Sequence, residues 1–135
     1  MRIKFVAVDP CSQQHCHLLY MLLDERTAEQ SISHKEMPTY DQHLVFVASE
    51  PYKAWYLIST DEGCAGSVYL TRQNEIGIAV FETHRGNGYA REAIEELMKL
   101  HDGPFLANIN PRNGASIGLF RSLYFNLIQE TYKHE

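Results

Sequence analysis

The sequence predicts one α/β domain built on a mixed, mostly antiparallel six-stranded sheet flanked by helices. Three observations carry that reading. A strand-like run at residues 75–81 passes through a glycine turn into an amphipathic helix that reaches about Leu100. Two aromatic and β-branched runs, 54–59 and 64–70, flank a turn at Thr60-Asp61-Glu62-Gly63, which is a hairpin signature. The length, 135 residues with 44% hydrophobic and 21% charged, suits one buried core and is too short for two, so 1–135 reads as a single domain.

Taken in order, Ile3, Phe5 and Ala7 alternate with Lys4, Val6 and Val8 as a first strand that stops at Asp9-Pro10. His15, Leu18, Leu19 and Leu22 fall at helical spacing over residues 12–23, with Ser12 available as the cap. A short helix is expected at 27–32, and Tyr40, His43, Leu44, Phe46 and Val47 predict another that ends before Pro51. After the hairpin, Arg72-Gln73-Asn74 turns the chain into the 75–81 strand. In the next helix Ala90, Ala93, Ile94, Leu97 and Met98 share one face, and Gly103-Pro104 lies beyond its end. A fifth strand, 105–109, is reached through that helix and should run parallel to the fourth. Asn113 caps a last helix bearing Ile117, Phe120, Leu123 and Tyr124, and residues 126–132 predict a sixth strand.

The turn at Arg85-Gly86-Asn87-Gly88-Tyr89-Ala90 carries the chemistry. Its two glycines let backbone N–H groups converge at the start of a helix whose first amides have no internal partners, a geometry that suits a pyrophosphate. Neither the three-glycine dinucleotide fingerprint nor the Gly-Lys-Ser/Thr of a Walker loop is present.

This segment resembles motif A of the GNAT N-acetyltransferase superfamily, Gln/Arg-x-x-Gly-x-Gly/Ala, with Arg85, Gly88 and Ala90 at its fixed positions. Downstream, Asn113, Ser116, Leu119, Phe120 and Phe125 match the family's second signature, Asn-x-x-Ser-x-x-Leu-Tyr-x-x-x-Gly-Phe, with Phe120 at its Tyr and Tyr124 at its Gly. The resemblance implies an N-acetyltransferase that takes acetyl-CoA as acyl donor in a V where the sheet splays between strands 4 and 5, at a bulge for which Gly77 is suited. The backbone from Ile78 through Ala79 to Val80 would pair with the pantetheine. Amides from Arg85 through Gly86, Asn87, Gly88, Tyr89 and Ala90 would bind the pyrophosphate. Asn113 and Ser116 would touch the middle of the cofactor, and Phe120 would lie near the sulfur.

Amide formation needs a neutral amine, a polarised carbonyl and the two held together. The Val80 N–H can polarise the carbonyl, and Glu75, on the same strand, is the candidate general base, with His84 and His43 as competitors. Phe120 has no proton to give the leaving thiolate, which leaves Tyr124, one turn away, as the alternative acid. Tyr40, His43, Trp55, Tyr56, Tyr69 and Glu75 are candidates for an acceptor site, and strands 2 to 4 look similar to enzymes acting on nucleotide-linked amino sugars. A protein amine as acceptor, or a catalytically silent acyl-CoA-binding domain, are the alternatives.

The net charge of −5, with 12 scattered Lys and Arg, argues against nucleic acid and favours a cationic or amine substrate. No apolar run approaches the roughly 20 residues of a membrane span. A cytoplasmic protein is expected. The odd count of 3 cysteines argues against a disulfide framework. Cys11, His15, Cys16 and His17 do not converge on one helix face, so no metal is expected. Because the family usually ends in two strands, a homodimer that completes the sheet is a further expectation.

Overall fold

A computed structural model describes residues 2–26 and 36–135. The expected helix at 27–32 lies outside the described residues. The elements run β1 (Lys4–Ala7), α1 (Gln13–Asp24), α2 (Tyr40–Ala48), β2 (Ala54–Thr60), β3 (Gly63–Leu70), β4 (Ile76–Val80), a 3-10 turn (Glu82–His84), α3 (Tyr89–Leu100) and α4 (Gly114–Ser122).

Helix ends follow the capping residues. The Ser12 side chain accepts from His15 N to start α1, and Thr39 and Gln42 form a reciprocal capping box at α2. In α4 the Asn113 side chain accepts from Ser116 N. The sheet has the order β1-β2-β3-β4, all antiparallel, with the register irregular only between Ile58 and Ser59 of the β2–β3 pair. Strand alternation splits the core into two faces. Ile58, Val68, Leu70 and Ile76 pack with Ala93, Ile94 and Leu97 of α3, whereas Leu57 and Phe81 pack with Cys16, Leu19, Leu22 and Val47 of α1 and α2. Ile94 and Leu97 are fully buried, and each such side chain is worth about 2 kcal/mol of burial.

Two expectations change. The fifth strand reduces to one parallel bridge between Glu75 and Leu106, in which Ile76 N donates to Leu106 O at 2.7 Å and Leu106 N to Asn74 O at 2.9 Å. Asn74, at φ 62°, holds that junction by donating its side-chain amide to the Asp102 and Pro104 carbonyls. Beyond it no pairing joins β4 to residues 107–109, so the fifth strand goes no further than that bridge.

The sixth strand does not form. Residues 126–132 pair with nothing among the described residues, and Leu127, Ile128 and Tyr132 are exposed. A short run with strand propensity needs a paired neighbour before it becomes a strand, and none among the described residues pairs with it. The observed sheet is therefore four-stranded rather than six-stranded.

Candidate active site

The outer edge of β4 is the first component. Phe81 N donates to Ala65 O and Thr71 N to Glu75 O, so odd-numbered residues turn their backbone groups to β3 and Ile76, Ile78 and Val80 turn theirs away. Ile76 spends its N–H on Leu106. Ile78 and the Val80 N–H have no strand partner among the described residues, and the Val80 carbonyl accepts from Arg85 Nε at 3.3 Å. Ile78 and the Val80 N–H thus face away from β3, while Ala79 faces β3 and the α1 side.

That edge leads directly into the glycine turn. Gly86 and Gly88 have φ of 82° and 80°, and Gly88 is the cap residue of α3 without any side-chain hydrogen bond. No backbone carbonyl among the described residues takes the N–H of Gly86, Asn87 or Gly88, and Tyr89 and Ala90 are the first residues of the helix. Five consecutive amides at the positive pole of a 12-residue helix are therefore without backbone partners among the described residues, a chemistry that suits an anionic group. Arg85 departs from expectation in one respect. Its amide already closes the 3-10 turn by donating to Glu82 O, and its guanidinium lies along β4.

Gly77 has a different reason from the one expected. The β3–β4 register runs unbroken from Gly66↔Val80 to Leu70↔Ile76, so there is no bulge at Gly77. A Cβ there would lie 1.9 Å from Tyr69 Cζ: the glycine makes room for the Tyr69 ring. Tyr69 in turn stacks on Tyr52 with centroids 3.9 Å apart, and Tyr52 meets Trp55 edge-on at 4.8 Å. Burial beside Tyr69 pushes the Tyr52 phenol well above its usual range.

Glu75 sits at the apex of the parted strands, half-buried. Its Oε1 accepts from Thr71 Oγ1 at 3.1 Å and its Oε2 from Asn108 Nδ2 at 2.6 Å. By alternation it shares the face of Gly77, and hence of Tyr69 and Tyr52. The sequence reading missed Asn108, Thr71 and Tyr52. A polar Asn108 among Phe105, Leu106, Ala107 and Ile109 was the available signal for the first of these.

Other expected site residues are placed elsewhere. His43 is 5% exposed, its Nε2 lies 2.9 Å from the Cys16 carbonyl, and burial lowers its pKa, so it joins α2 to α1 and has no free face for a ligand. Tyr40 packs edge-on against Tyr20 at 5.1 Å above that seam and stays partly exposed. Tyr56 faces α3, where its hydroxyl meets His101 Nε2 at 3.0 Å. His84 lies in the turn before the glycines, its carbonyl accepting from Asn87 Nδ2. Phe120 is buried against Phe125 in the α3-side core. Tyr124 is 90% exposed at φ 69°, just past the end of α4, and among the described residues no hydrogen bond or ring contact holds its phenol. Cys16 is buried while Cys11 is exposed.

A four-stranded antiparallel sheet, a single parallel bridge at its β4 edge and a glycine turn opening α3 define an α/β domain of one known family. The acetyltransferase (GNAT) domain family matches residues 9–126, and the chain belongs to it. Its fold is similar to an N-acetyltransferase from Staphylococcus aureus Mu50, with a TM-score of 0.69 and 18% identity over 93% of this chain and 84% of that one. It is also similar to yncA from Salmonella typhimurium, solved with its cofactor acetyl-CoA (TM-score 0.73, 17% identity, 96% and 82% covered). A third likeness is to the dodecameric spermidine N-acetyltransferase from Vibrio cholerae (TM-score 0.69, 15% identity, 90% and 77% covered). At these identities the likeness is one of fold. No curated protein matches the sequence. No described helix is long and apolar enough to cross a membrane.

Proposed function

We propose that this chain is an acetyl-CoA-dependent N-acetyltransferase acting on the primary amine of a small molecule within a ternary complex. The observation that carries the reading is the succession of two backbone surfaces: the outward groups of Ile78 and the Val80 N–H are followed, past the 3-10 turn, by the amides of Gly86 to Ala90. An extended amide-bearing arm that ends in a diphosphate matches that sequence of donors and acceptors. Acetyl-CoA supplies the thioester carbonyl that a neutral amine attacks.

The chain's residues then divide the work. Ile78 and Val80 orient the pantetheine as an added strand, and the Val80 N–H polarises the carbonyl. Asn113 and Ser116 at the start of α4 flank the middle of the bound donor. Glu75 takes the proton from the incoming ammonium, directly or through water, with Thr71 and Asn108 fixing the direction of its lone pairs. Tyr69 and Tyr52 form the wall along which the acceptor enters. The acceptor class expected from the strands, nucleotide-linked amino sugars, stands beside polyamines, and the net charge of −5 favours the cationic polyamines.

A second reading, a silent acyl-CoA-binding domain, is favoured by one observation: neither Phe120 nor the outward Tyr124 offers a placed proton to a leaving thiolate. Release of free thiol from acetyl-CoA separates the two, assayed against sugar-nucleotide amines, polyamines and peptides. Turnover on a small amine, lost in Gly88→Trp, is the expected result. Tight binding without turnover on any acceptor would favour the silent domain, and absence of binding would sink both.

A further inference from the structure

The α3 N-terminus carries a feature that the motif does not account for. Arg2, just before β1, reaches across the glycine turn. Its guanidinium donates to the Asn87 carbonyl, pairs with the Glu92 carboxylate and lies over the Tyr89 ring with Cζ 4.9 Å from the centroid. A Cβ at Gly88 would come within 3.3 Å of the same guanidinium, so the second glycine also leaves room for Arg2. Three residues of the 87–92 segment, Asn87, Tyr89 and Glu92, therefore meet one cation from the start of the chain.

Glu92 poses the problem that this cation solves. It is the acidic residue of the first turn of α3, where a carboxylate is favoured by the helix pole, and it competes for that pole with any other anion. Its side chain is only 25% exposed, so solvent screens it less than a surface charge. We propose that Arg2 is a positioning and charge-compensating residue of the donor site: it cancels Glu92 and fixes the Asn87 carbonyl, so that the amides of Gly86 to Ala90 can receive a diphosphate. This inference rests on the proposed use of acetyl-CoA. The ligand chemistry concerned is the diphosphate of the donor, not its acyl arm.

A double-mutant cycle on the full chain, read by calorimetric titration of acetyl-CoA, tests it. Arg2→Gln should weaken binding about tenfold by exposing the cradle to the Glu92 charge. Glu92→Gln should tighten it a few-fold, and the Arg2→Gln/Glu92→Gln pair should return to within about threefold of the wild type. S-acetyl-pantetheine, which lacks the diphosphate, should bind all four proteins alike, which a merely structural loss would not allow. A double variant as weak as Arg2→Gln would overturn charge compensation, as would an Arg2→Gln protein that binds acetyl-CoA like the wild type. Failure of the wild type to bind acetyl-CoA would instead remove the proposed function and this inference together.

Discussion

The proposed donor side and the proposed acceptor side of this protein are built from different materials. Along β4 and into α3, the groups that face the ligand site are backbone amides and carbonyls, ordered by strand alternation and two positive-φ glycines. On the α1 and α2 face they are side chains: Glu75 between Thr71 and Asn108, and Tyr69 stacked on Tyr52 over Gly77. A backbone site depends on where the chain turns and tolerates many side chains. A side-chain site depends on residues brought together from 52 to 108, and each of them can change independently.

Substitutions should therefore separate the two sides. The largest effect is expected at the apex. Glu75→Gln keeps the shape and a hydrogen-bonding group but removes the base, and kcat should fall roughly 100-fold while acetyl-CoA affinity stays within twofold. An unchanged kcat would move the base elsewhere. Gly77→Val comes next. Its side chain must displace the Tyr69 ring, losing a stacked pair worth about 1 kcal/mol, and the acceptor KM should rise about tenfold with donor affinity unaltered. A loss of donor binding of equal size would break the division drawn here.

A smaller effect concerns pH. Burial lowers the His43 pKa below its ordinary value of 6.5 in the fold, so the unfolded chain binds a proton there that the folded chain refuses. The stabilising contribution is complete above that ordinary value and is lost as pH falls through it toward the folded value. The melting temperature should drop between neutral pH and mildly acidic pH, and the drop should be shallower in His43→Gln. Equal slopes in the two proteins would show that the α1–α2 seam does not govern it.

The smallest effect is expected at Tyr124. It occupies a left-handed position at the end of α4, where Tyr124 N donates to Arg121 O and Phe125 N to Phe120 O. Tyr124→Gly should stabilise the fold by about 1 kcal/mol and leave turnover alone. A fall in kcat would instead make its phenol the acid that protonates the thiolate.

What could be read from the sequence follows the same division. Caps at Ser12 and Asn113, the hairpin, the buried stripe of α3 and the glycine cradle are local, and local chemistry writes them into neighbouring residues. The role of Asn108 was hidden because its partner, Glu75, lies 33 positions away. His43 looked like a site residue because aromatic and histidine side chains serve cores and ligands equally well, and only the Cys16 carbonyl decides between them. Gly77 was read as the mark of a bulge when its neighbour across the ladder, Tyr69, was the reason. The strand at 126–132 was over-read for a related cause: a run of residues can suggest a strand, whereas a strand requires a second edge.

The open edge of β4 has a consequence for how the protein survives in solution. Exposed strand edges recruit other chains in proportion to the length of unpaired backbone they present. Here one end is closed by the Leu106 bridge and the Val80 carbonyl is covered by Arg85, so the exposed stretch is little more than one residue and its neighbour's N–H. That leaves little free backbone at this edge of the sheet for another chain to pair with.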